Sequence, residues 1–181
     1  EKKPLGIVGG LDKFSSGGSV ILSEDFSKYN TGAVPEGWTL NKTSVEVAEY
    51  EGKKWMRFLN SGNVQKKAKV DSDYSLEITL FIPDTATGFS LKYGDIPECE
   101  ITGSSLKVGG ASAGTFNRDG IHTLAVSRKN GQLVFYLDGK RTYTTTPQGS
   151  LSENLVISVK GIDINQGQEF IFTDVKIAEY K

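Results

Sequence analysis

Two glutamates set two residues apart, Glu98 and Glu100, come nearest in type and spacing to acid–base chemistry. Positions i and i+2 of a strand share one face about 6.6 Å apart, and carboxyl pairs at such separations are what glycosidic-bond cleavage employs. Two solvated glutamates on an exposed strand would show the same spacing, so both readings stay open. The lone His122 leaves no second histidine for a relay or a histidine-rich metal site. Its phase with Leu124 and Val126 reads as a hydrogen-bonded structural residue near the core edge. Cys99 is the single cysteine, which removes internal disulfides and paired-cysteine zinc sites, and its phase with Ile101 reads as a small buried hydrophobe. Asp71 and Asp73 lack the glycine and distal glutamate of a calcium loop and read as a turn, while Asp25 and Asp174 are a weaker calcium alternative. No phosphate-cradling GxxxxGK[ST] occurs, and neither a metal nor a cofactor is assigned.

Sugar binding would need an aromatic platform and a few polar groups that fix hydroxyls. The residues expected to point outward and supply these are Glu77, Thr79, Lys92, Tyr136 and Tyr143. Trp55 joins them: it alternates with Arg57 while Met56 and Phe58 take the other face, and placing that pair in the core leaves Trp55 partly exposed. Ordinary solvent-facing residues would form the same set.

These side chains need strands to hold them. Residues 74–82 alternate cleanly, with Tyr74, Leu76, Ile78, Leu80 and Ile82 on one face and Ser75, Glu77, Thr79 and Phe81 on the other. Similar alternation runs through Val45 and Val47, through Phe89, Leu91 and Tyr93, and through Leu155, Ile157 and Val159. Asn130-Gly131 and Asp138-Gly139 are two-residue hairpin signals, predicting a three-stranded meander over residues 121–146. The switch of phase from Phe170 and Phe172 to Val175 and Ile177 predicts a bulge near Thr173. Gly109, Gly110 and Gly114 are expected in a loop before the meander. Residues 1–18 show no period and read as a leader or linker, with the folded domain at residues 19–181.

The bulk numbers agree with one domain built of short strands. There are 21 glycines among 181 residues, about 12% against the roughly 7% of ordinary chains, with only 5 prolines. That excess reads as turns. A net charge of −1 speaks against nucleic acid as partner, and no stretch reaches the ~18 apolar residues of a membrane-spanning helix. The short basic run Lys66, Lys67, Lys69 reads as a solvated edge that discourages strand addition. With Glu1 first and Met56 the only methionine, a processed or trimmed N-terminus is expected.

The run from Asp119 to Lys140, with Gly120-Ile121-His122, alternating aliphatics, Arg128, a hairpin, then Phe135-Tyr136-Leu137-Asp138-Gly139-Lys140, resembles the signature of concanavalin A-like lectin and glucanase domains of the laminin-G and pentraxin type. The opening Asp25-Phe26, Gly32, Pro35, Gly37 and Trp38, and the closing residues 172–177, are similar to those of bacterial cell-envelope proteins with this jelly roll. The resemblance implies an antiparallel jelly-roll β-sandwich over residues 19–181, an extracellular or periplasmic setting, Trp38 closing one end of the sandwich, and a glycan or a protein surface as partner. Laminarinase-like members carry a third acid on the strand of Glu98 and Glu100; here that position is Gly103. The expectation is therefore a non-catalytic cell-surface or periplasmic module that binds a glycan or a partner protein. A glycan-acting hydrolase or lyase and a purely structural domain are the alternatives.

Overall fold

The computed structural model describes residues 5–6, 13–149 and 152–181. Much of the expected leader, residues 1–4 and 7–12, lies outside them. The strands run β1 Ser19–Glu24, β2 Thr39–Asn41, β3 Val45–Tyr50, β4 Lys53–Phe58, β5 Gly62–Lys67, β6 Tyr74–Phe81, β7 Gly88–Tyr93, β8 Ile96–Thr102, β9 Ser105–Val108, β10 Ala111–Thr115, β11 His122–Lys129, β12 Gln132–Leu137, β13 Lys140–Thr145, β14 Asn154–Lys160 and β15 Ile171–Glu179. They form two antiparallel sheets. The first has the order β13-β12-β11-β6-β15-β4-β3, with β1 also pairing β15, and the second β10-β9-β8-β7-β14-β5-β2. The crossovers that put β15 between β6 and β4, and β14 between β7 and β5, make a jelly-roll sandwich. Among the described residues no helix is long and apolar enough to cross a membrane.

Period-2 patterning builds the core. The inward rows of β6, β11, β14 and β15 meet across the sandwich, where each fully buried large apolar side chain contributes about 1.5–3 kcal/mol. Phe26, Trp38, Phe58, Phe89, Phe170 and Phe172 form one continuous ring cluster, with centroids 5.1–6.3 Å apart. Trp38 sits in this cluster at the start of β2. Cys99 lies buried beside Ile101, and burial, with Glu98 second, pushes its thiol up to about 12.

The predicted turns are present. Asn130 and Gly131 have φ of 52° and 74°, Asp138 and Gly139 54° and 79°, which is the paired left-handed geometry of two-residue hairpins. The ladder slips between Thr173 and Lys176, with Asp174 at φ 51°, so the bulge falls where the phase change put it. His122 is structural: its ring bonds to Asp138 Oδ2 and to the carbonyl of Asn117 and packs 4.7 Å from the Phe116 ring.

Other expectations need correction. Residues 105–115 are not a loop: β9 and β10 pair as a hairpin about Gly109-Gly110, and Gly114 lies inside β10 where the ladder shifts. These strands are only four and five residues long: β9 alternates Leu106 and Val108 inward over too few residues to stand out, and β10 is small or polar throughout. Residues 13–18, the described end of the expected leader, lie against the outer face of the first sheet. There the Gly17 amide donates to Ser75 Oγ at 2.9 Å, the Tyr180 hydroxyl donates to the Ser15 carbonyl at 2.6 Å, and the Phe14 ring sits 5.5 Å from Tyr136.

Candidate functional site

The residues expected to share one binding surface are dispersed. Lys92 is exposed on the outer face of the second sheet, whereas Glu77 and Trp55 belong to the first. Tyr143 pairs with Phe135 in the ladder and so turns toward the core, where it is partly buried, not outward with Tyr136. The register shift between Phe135 and Tyr136 breaks the simple alternation that placed it outside. Tyr136 does point outward, but the strap of residues 13–18 covers it and leaves it 3% exposed. Trp55 also faces outward and is fully buried rather than partly exposed, because the Tyr50 ring lies across it and its indole Nε1 donates to the Tyr50 carbonyl at 2.9 Å. Glu77 is half-buried, with Oε2 lacking a hydrogen-bond partner among the described residues. Thr79 is buried and shares a hydrogen bond with Thr123.

Glu98 and Glu100 project side by side from β8 into a shallow groove on the second sheet with Ser90, Thr102, Ser158 and Lys160. Both are exposed, and Glu100 stands opposite Lys107 in the ladder. The calcium alternative fares differently at its two ends: Asp174 pairs with Lys53, and Asp25 Oδ1 accepts the Ser27 amide at 3.0 Å. Asp71 and Asp73 form the turn before β6: the Asp71 amide donates to Glu179, and Asp73 accepts from Arg128.

The most complete assembly lies elsewhere, on the outer face of the first sheet across β3, β4, β15 and β6. Ladder register brings Glu46, Arg57, Ile171 and Phe81 into one transverse row. The Tyr50 ring, from the end of β3, reaches over β4 and β15 and stacks on Phe81 with centroids 5.1 Å apart and planes 10° apart. Tyr50 remains 38% exposed. The result is a groove of about 270 Å³ lined by Ala48, Glu49, Tyr50, Arg57, Phe81, Pro83, Glu169 and Ile171.

Its polar side is held in place. Arg57 Nε donates to Glu169 Oε1 at 2.6 Å and Nη1 donates to Glu46 Oε1 at 3.2 Å. The Glu169 hydrogen bond, offset by some desolvation and reinforced by Glu46, raises the guanidinium above its ordinary pKa. The three side chains are 27–30% exposed, so the cluster is partly shielded yet reachable from solvent. A guanidinium has five donors in a rigid fork, and two are engaged here. The groove thus offers an apolar aromatic wall beside fixed donors and carboxylate acceptors, the combination that grips an apolar ring face while bonding the hydroxyls around it.

Tyr50, Phe81, Arg57 and Glu169 were not singled out by sequence. Phe81 carried a signal, as the one aromatic on the otherwise polar face of residues 75–81. Arg57 and Glu169 carried none, since they are 112 residues apart.

No family model and no curated protein sequence matches the chain. Solved structures do match, and they define its class as an antiparallel β-sandwich. A sialidase superposes with a TM-score of 0.69 at 14% identity, over 91% of this chain and 19% of the sialidase. A structure titled for endo-acting O-glycanases of the human gut microbiota gives 0.59 at 15% identity, over 90% of this chain and 100% of that one. The carbohydrate-binding module CBM66 from Bacillus subtilis gives 0.52 at 14% identity, over 79% and 96%. The chain spans about a fifth of the sialidase, and at these identities the likeness is one of fold.

Proposed function

We propose that this chain is a non-catalytic, concanavalin A-like module that binds a glycan in the groove of Tyr50, Phe81, Arg57 and Glu169. The observation that carries this reading is the exposed Tyr50–Phe81 stack standing beside an arginine locked between two glutamates. The fold neighbours named for a sialidase, for O-glycanases and for a carbohydrate-binding module support a glycan over a protein surface, and with it an extracellular or periplasmic setting. The absence of catalysis in the proposal rests on Gly103 standing where laminarinase-like domains carry a third acid, and on Glu98 and Glu100 lying exposed in a shallow groove with Lys160 its other charged residue.

A glycan array followed by calorimetry on the best hit tests it. Tyr50→Ala should weaken binding about 5- to 10-fold, the loss of an aromatic contact of ~1–1.5 kcal/mol, while Tyr50→Phe stays near the parent. Binding unchanged in Tyr50→Ala would overturn the assignment. Glycan cleavage that Glu98→Gln and Glu100→Gln abolish would overturn the non-catalytic reading.

A further inference from the structure

We infer that the groove selects neutral or amino sugars and rejects sugars bearing a carboxylate. The inference rests on the glycan-binding reading and concerns the class of sugar. An arginine in a sugar site ordinarily invites an acidic ligand, because its fork matches a carboxylate. Here the fork is already occupied. Its Nε and one Nη hold Glu169 and Glu46, so one guanidinium stands between two carboxylates. Lys53 is taken by Asp174, and Lys54 with its ladder partner Glu49 alternates to the other face of the sheet from Arg57. An entering carboxylate would therefore meet excess negative charge and would have to displace a glutamate from the arginine. A neutral hydroxylated ring would not: the uncommitted guanidinium N–H groups can donate to one hydroxyl, and the second oxygens of Glu46 and Glu169 can accept from its neighbour. A sugar ammonium would gain further from those carboxylates.

The size of the groove sharpens this. At about 270 Å³ it lies at the small end of ligand pockets, room for a single ring against the Tyr50–Phe81 wall and not for an extended chain. The substituent on that one ring then decides whether it binds.

Two matched series of methyl glycosides, glucoside, glucosaminide and glucuronide, and galactoside, galactosaminide and galacturonide, are titrated by ligand-observed NMR against the full chain at low salt. In the series that binds, the glucosaminide or galactosaminide should bind at least as well as the neutral sugar. The uronide should bind about fivefold or more weakly, the effect of one uncompensated like charge at ~4 Å in water-like dielectric. Glu46→Gln, which removes one of the two carboxylates held by Arg57, should narrow the gap, as should raised salt. A uronide that binds as tightly as its neutral counterpart, with Tyr50→Ala weakening both, overturns the selectivity and leaves the site standing. Binding of every sugar unchanged in Tyr50→Ala, or no binding in either series or on the array, overturns the glycan-binding reading itself.

Discussion

Replacing Gly17 by alanine is expected to detach the strap from the first sheet. Gly17 does not need a left-handed backbone; what it needs is space, because an added Cβ would sit 2.6 Å from the carbonyl oxygens of both Ala178 and Glu179. Those atoms belong to β15, a central strand paired on both sides, so the strap must move rather than the sheet. Lifting it breaks the Gly17 amide bond to Ser75, a net ~1 kcal/mol for a buried hydrogen bond. It also separates Phe14 from Tyr136, an aromatic pair worth ~0.5–1.5 kcal/mol beyond its buried area. A loss of about 1.5–2.5 kcal/mol follows, which for a chain of this size lowers Tm by about 3–10 °C. Calorimetry and urea titration measure it, with Gly120→Ala as control: nothing lies within 4 Å of its added Cβ, and its expected effect is neutral to slightly stabilising. Hydrogen exchange gives an independent readout, since the Gly17 amide should be protected in the parent and exposed in the variant. A Tm for Gly17→Ala within about 1 °C of the parent, together with fast Gly17 exchange in the parent, would refute the packed strap.

Two further outcomes follow from buried groups. Cys99, fully buried with its thiol pushed up to about 12, should resist a thiol reagent at pH 8 in the native protein and react completely once denatured; rapid native labelling would contradict its place in the core. The Glu179 carboxyl is held below its ordinary value of 4.5, chiefly by the Ser72 hydroxyl and then by the Asp71 amide. A depressed native pKa contributes stability at pH above the unfolded value, lost as pH falls through the native one. Urea midpoints for the parent should therefore decline below about pH 4.5 more steeply than those of Glu179→Gln, and parallel curves would exclude the contribution.

The Tyr50 and Glu46 variants bear on different physics, contact area and charge. They should be separable in one set of titrations, because Tyr50 stacks on Phe81 while Glu46 contributes a charge paired with Arg57. Neither position is part of the ring cluster between the sheets, so loss of binding in them need not mean loss of fold.

The strands and turns of this protein were legible because their causes are local. Alternation sorted residues 74–82 into two faces, the Asn-Gly and Asp-Gly pairs supplied the left-handed residues of tight hairpins, and a one-step phase change marked the bulge near Thr173. Alternation reports which side of a strand a residue takes, however, and not what lies over that side. Tyr136 and Trp55 were assigned outward and do point outward, yet a segment more than a hundred residues away covers the one and Tyr50 covers the other. Arg57 and Glu169 meet only because the crossover sets β15 beside β4. Pattern along the chain determined the longer strands, the two-residue turns and most of the inner face, but not the short β9–β10 hairpin or the inward turn of Tyr143. Which outward residues stay open to solvent, and which distant ones converge into a groove, was decided by strand order, because burial and charge pairing depend on neighbours that sequence separation does not reveal.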